Sequence, residues 1–108
     1  MELQSVAQTI YRVSLRLEKA ADELYKLGKD KANAERDYVV KFAQEIMKLK
    51  DEGTPTAIIR DLAKANSSAE LFQMEYAEVR FKSAVESLGA LKTEVSALQS
   101  ILRYQTEI

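Results

Sequence analysis

Three carboxylate pairs are the first residues in this sequence that could do chemistry. Asp22–Glu23, Asp51–Glu52 and Glu75 with Glu78 set acids side by side or about one helical turn apart. General acid–base catalysis or a bound metal ion would use such pairs. A di-metal site inside a helical bundle would also need Glu-x-x-His motifs from two helices. The chain has no His and no Cys. Their absence removes the commonest metal ligand, the commonest general base, every thiolate site and any disulfide. The pairs therefore read as solvated charged faces. The chain reads as non-enzymatic, with no cofactor and no metal.

Cations offer a second chemistry. Lys29, Lys31, Arg36 and Lys41 surround Tyr38 in the sequence. An aromatic ring among cations can stack a base of a single-stranded nucleic acid while the charges meet its phosphates. Against that reading, 16 Lys and Arg are balanced by 17 Asp and Glu, for a net charge of -1. Bulk positive charge is absent, and Tyr38 fits a core stripe equally well. The segment from Thr56 through Leu71 has the spacing of a helix-turn-helix. Its turn lacks Gly, however, and the following helix offers Glu70, Gln73 and Glu75 where a DNA groove would want cations. It reads as a helix connector.

All of these side chains depend on helices for their placement. The 108 residues include three Gly and one Pro, too few for a sheet built on tight turns or for a glycine-rich phosphate loop. Hydrophobic residues make up 46% and charged residues 31%, the composition of long helices. No run of ~18 apolar residues exists to span a membrane. The start, Met1-Glu2-Leu3-Gln4-Ser5, lacks the basic and apolar regions of a signal peptide. A cytoplasmic location is expected.

Leu3, Val6, Ile10, Val13, Leu17, Ala20, Leu24 and Leu27 alternate at spacings of three and four, the a/d seam of a helix packed on a near-parallel neighbour. Beyond Gly28 the stripe is Ala34, Tyr38, Phe42, Ile46 and Leu49, as a stutter would leave it. This predicts one helix over residues 3–52, with a break near Gly28 as the alternative. Gly53 is the expected stop, Thr54 the N-cap and Pro55 the first residue of a short helix over 55–65. Ser67 with Glu70 has the spacing of a capping box that opens a last helix over 68–105. There Phe81, Val85, Leu88, Val95, Leu98 and Leu102 form a stripe, which Phe72, Tyr76, Val79, Leu91 and Ile101 widen. Gly89 would mark the close approach of another helix.

The expected fold is all-α, a single helical domain built as a long antiparallel, coiled-coil-like hairpin with a short connecting helix. With its turn near residue 60, Leu102 would meet the region of Glu18, leaving Leu3, Val6, Ile10 and Val13 on an overhang. An exposed apolar strip and a thin core invite association. A homo-oligomer is therefore expected, a dimer or larger, with a four-helix bundle as the simplest form. Ile10, Val13, Leu17, Leu24, Leu88, Val95, Leu98 and Leu102 are the candidate interface.

Two stretches, Glu45-Ile46-Met47-Lys48-Leu49-Lys50-Asp51-Glu52-Gly53-Thr54-Pro55-Thr56-Ala57-Ile58-Ile59-Arg60-Asp61-Leu62-Ala63 and residues 90–105 from Ala90 to Gln105, resemble a group of small helical proteins. Bacteriophages and prophages of Gram-positive bacteria encode that group, often among early genes for DNA replication and recombination. The resemblance carries no functional residue with it. It implies an accessory protein of the infected host's cytoplasm, acting on a replication or recombination partner. Secreted helical hairpins with a Trp-x-Gly turn fit less well, because this chain has no Trp and its turn reads Glu52-Gly53-Thr54. The expected function is a non-enzymatic helical adaptor or scaffold that oligomerises and binds a protein. The alternatives are a single-strand nucleic acid accessory using Lys29, Lys31, Arg36 and Lys41, or a small phage inhibitor of a host or defence enzyme.

Overall fold

A computed structural model describes residues 2–107 of the chain. Three helices account for nearly all of them: α1 over Leu3–Asp51, α2 over Thr56–Asn66 and α3 over Ser68–Glu107. The fold is an all-α helical hairpin.

α1 runs through Gly28 without a break. A Cβ at residue 28 would lie 3.3 Å from Cε2 of Phe81, so the glycine makes room for a ring and does not end the helix. The stop comes at Gly53, whose φ of 77° lies in the left-handed region that glycine adopts without strain. Gly53 donates its N–H to the Lys50 carbonyl at 3.1 Å, and Thr54 donates to Leu49 at 3.0 Å. These are the two bonds of a Schellman motif, and they satisfy carbonyls the helix end would otherwise leave open.

α2 begins one residue later than the sequence suggests. Pro55, not Thr54, is its N-cap, with ψ at 132° and no side-chain capping bond. The Pro55 carbonyl accepts the first helical bond, from Ile58 N–H at 3.1 Å. The capping box at the next boundary does not form either. Ser67 is fully buried, and its Oγ has no hydrogen-bond partner. Its N–H instead closes α2, on the carbonyls of Ala63 and Lys64, while its carbonyl accepts from Leu71 N–H at 3.0 Å to open α3. One residue thus serves both helices, and the end of α2 satisfies the Ser67 N–H that the box would have satisfied.

The chain packs as two compact units. The turn unit comprises Leu27–Phe81, and the terminal unit pairs α1 before Leu27 with α3 after Phe81.

In the turn unit, Leu49, Ile59 and Ala63 form a buried cluster against which Phe42 and Ile46 pack. α2 therefore lies along the last turns of α1 and forms the first stretch of the returning arm. The hairpin bends at Gly53–Thr54, not near residue 60, which sets Phe81 opposite Gly28.

In the terminal unit, Val6, Val13 and Leu98 are buried together, with Ile10, Leu91, Val95 and Leu102 against them. The expected overhang does not exist. Val6 is 0% exposed and Val13 3%, although Leu3 remains exposed. Burying three such side chains favours folding by roughly 1.5–3 kcal/mol each. Along α3 the inward positions are Ala84, Leu88, Leu91, Val95, Leu98 and Leu102, while Val85 is exposed. Gly89 faces open space, since a Cβ there would meet nothing within 4 Å. No helix passes close to it among the described residues.

Candidate functional site

The eight residues expected to join copies of the chain all lie in the terminal unit. Val13 and Leu98 are buried in its core, Ile10, Val95 and Leu102 pack on them, and Leu17, Leu24 and Leu88 are half-buried. Five of the eight, Ile10, Val13, Val95, Leu98 and Leu102, thus share one cluster between α1 and α3 within a single chain.

The four candidate nucleic-acid cations do not share a face. Lys29 and Arg36, seven residues apart on α1, are exposed, whereas Lys31 and Lys41 sit half-buried on the inward side. Three of the four already hold carboxylates. Lys31 Nζ meets Glu35 Oε1 at 2.9 Å and lies 5.9 Å from the Phe81 ring centroid. Glu35 raises the Lys31 pKa above its ordinary value, through a hydrogen bond and its charge. Arg36 Nη2 lies 3.7 Å from Asp37 Oδ1, and Lys41 Nζ lies 3.1 Å from Glu45 Oε1. Tyr38 packs beside Phe42, with ring centroids 5.9 Å apart.

Glu45 is the polar centre that the sequence reading missed. It is only 7% exposed, and it accepts from Lys41 and from Asn66 Nδ2, the latter at 3.2 Å. The Lys41 hydrogen bond holds its carboxyl below the usual range; burial opposes this, and the Asn66 bond and the charges of Lys41 and Lys48 add to the lowering. The signal was present in the spacing. A strict heptad continued past Leu27 reaches Lys31, Ala34, Tyr38, Lys41 and then Glu45, and those are the residues α1 turns inward.

Beyond the seams, apolar residues are left exposed on the outer sides of both long helices. In the turn unit these are Val40 and Met47 on α1, with Ala43 between them, and Phe72, Tyr76 and Val79 on α3. In the terminal unit Tyr11, Leu15 and Tyr25 stand out on α1, and Ile101 and Tyr104 on α3. Their spacings are again mostly three and four, so each helix carries an outer stripe roughly opposite its inner seam. Phe72 and Tyr76 stack with centroids 6.0 Å apart, and Arg80 lies 5.7 Å from the Tyr76 ring centroid.

Open grooves lie along the turn unit as well, two of them among the described residues being relevant to binding. One, of about 400 Å³, lies between α1 and the start of α3 and is lined by Asp30, Asn33, Asp37, Glu70 and Gln73 among others. The other, of about 430 Å³, lies between α1 and α2 and is lined by Tyr38, Phe42, Arg60, Asp61 and Lys64. Among the described residues no group of three or more carboxylates could hold a metal ion. No helix of the described residues is long and apolar enough to cross a membrane.

Comparison with protein-family models, with curated proteins and with solved structures finds no match to this chain.

Proposed function

We propose that this chain is a non-enzymatic helical adaptor that self-associates through the outer faces of α1 and α3 and, once assembled, holds a protein partner. The observation that carries this reading is the outer stripe, typified by Val40 and Met47 on α1 and by Phe72, Tyr76 and Val79 on α3. A stripe at spacings of three and four is complemented by another helix of the same repeat. A second copy of the chain supplies two such helices. Desolvating the stripe favours association, and the eight residues of the inner seam contribute by holding the hairpin that displays it. The resemblance of residues 45–63 and 90–105 to early-region phage proteins supports a replication or recombination protein as the partner.

The absence of Cys makes a direct test simple. Single cysteines at Met47 and Tyr76 on the outer stripes, and at Lys92 as an exposed control, would be oxidised in solution. The adaptor reading expects disulfide-linked dimers to form much faster at Met47 or Tyr76 than at Lys92. Equal rates at all three positions would contradict it.

A further inference from the structure

In the single-strand alternative Tyr38 is the stacking platform beside Lys29, Lys31, Arg36 and Lys41, yet the structure gives it different neighbours. It lines the groove between α1 and α2 together with Phe42, Arg60, Asp61 and Lys64. We infer that this groove seats one nucleotide unit, with its base on the Tyr38 ring and its phosphate on Arg60 and Lys64, and that single-stranded nucleic acid is the source of that unit.

The composition of the groove carries the inference. Arg60 and Lys64 are one turn apart on α2 and exposed, so both cations can reach the same phosphate. Unlike Lys31, Arg36 and Lys41, neither has a carboxylate within ion-pair distance among the described residues. An anion would therefore displace no salt bridge. Tyr38 is half-buried and braced by Phe42, which fixes its ring as a platform; stacking of this kind accepts any base. Asp61 is the one carboxylate in the lining. It disfavours a bare phosphate but can accept a hydrogen bond from a ring N–H or an exocyclic amino group. A ligand with both an anionic end and a donor-bearing aromatic end satisfies all five side chains. The groove's volume of about 430 Å³ falls within the range of small-ligand sites, which begins near 300 Å³, so it suits a single nucleotide. The inference is independent of self-association, because it uses α2 and the side of α1 that faces it.

The test is fluorescence anisotropy with a labelled twelve-residue oligothymidylate across a salt series, on the full chain. Wild type should bind at low salt. R60Q/K64Q, two exposed changes to a good helix former, should lose at least tenfold in affinity. Its log–log salt dependence should flatten by about 0.7, the release expected for one single-strand phosphate contact. K29Q/R36Q, on the outer face, should change affinity less than twofold. Amide NMR shifts on titration should concentrate at Tyr38, Phe42 and residues 60–64. Thymidine monophosphate shifting the same amides without displacing the oligonucleotide would support the groove and favour a strand; full displacement would support the groove with a free nucleotide as its source. No binding by wild type at low salt, or equal losses in the two double variants, would overturn the inference.

Discussion

Asn66, the last residue of α2, donates its side-chain amide to Glu45 Oε2 at 3.2 Å, across from the inward side of α1. This bond joins two elements that the sequence reading treats separately. It makes α2 part of the returning arm, beside the packing of Ile59 and Ala63 on Leu49. Glu45 is held from the other side by Lys41, so the carboxylate is buried with partners on both helices. An unpartnered carboxylate at that depth would be costly.

Removing the Asn66 donor should therefore be felt. Asn66→Ala is expected to lower stability by about 1 kcal/mol, the net worth of one such hydrogen bond. Its effect should largely vanish in a Glu45→Ala background, which removes the acceptor. Urea unfolding of the two single variants and the double variant checks this, and strict additivity would contradict it.

The same site sets a pH dependence. The Glu45 carboxyl is held below its ordinary value, so its contribution is fully present above the usual carboxylate range and is lost as pH falls through the folded pKa. Wild type should exceed Glu45→Gln in Tm at neutral pH, and the gap should close on acidification. Lys31 runs the opposite way. Its pKa is raised by Glu35, so its contribution persists at and below the usual lysine value and fades only at higher pH. A wild-type advantage over Glu45→Gln that stayed constant down to strongly acidic pH would count against this assignment.

The two helical glycines should respond differently to alanine. At Gly89 a methyl group meets open space, and Gly89→Ala should stabilise by about 0.5–1 kcal/mol through helix propensity. At Gly28 the methyl group would press on the Phe81 ring edge at 3.3 Å. Gly28→Ala should gain less than Gly89→Ala, and Gly28→Val should cost about 1–3 kcal/mol from overpacking. Thermal melts of the three variants rank these effects; an equal gain from the two alanine variants would show that Phe81 does not need the space.

The register of α3 can be checked by truncation. Leu98→Ala should cost about 2–5 kcal/mol, because Leu98 is buried against Val6 and Val13. Val85 is 45% exposed, and Val85→Ala should stay within about 0.5 kcal/mol. A large loss at Val85 would restore the stripe read from the sequence.

The helices were legible where apolar spacing and punctuation agree. The seam from Val6 to Leu27 lies on the inward side, and Gly53 ends α1 as its position before Thr-Pro suggests. What was hidden follows from polarity. Lys31, Lys41 and Glu45 hold inward heptad positions, so a search for apolar residues steps over them and finds a stutter at Phe42 and Ile46. On α3 the larger Val85 draws the eye from Ala84, the residue that faces inward. The bend position is hidden because α2 has helix signals of its own and nothing in its residues says that it lies along α1. Lys29, Lys31, Arg36 and Lys41 are close in sequence, but helical rotation separates Lys29 and Arg36 from Lys31 and Lys41. Arg60 and Lys64, more than twenty residues from Tyr38 in the chain, share a groove with it only because the chain turns back at Gly53.

The central claim, self-association through the outer stripes, is tested most directly by sedimentation equilibrium of the wild-type chain beside Val40→Glu/Met47→Glu. Both positions are exposed, so the variant should keep its helical circular dichroism. Self-association through these stripes predicts a wild-type mass of a dimer or larger that shifts toward monomer in the variant. A wild-type monomer at all concentrations, or a variant of unchanged mass, would contradict it.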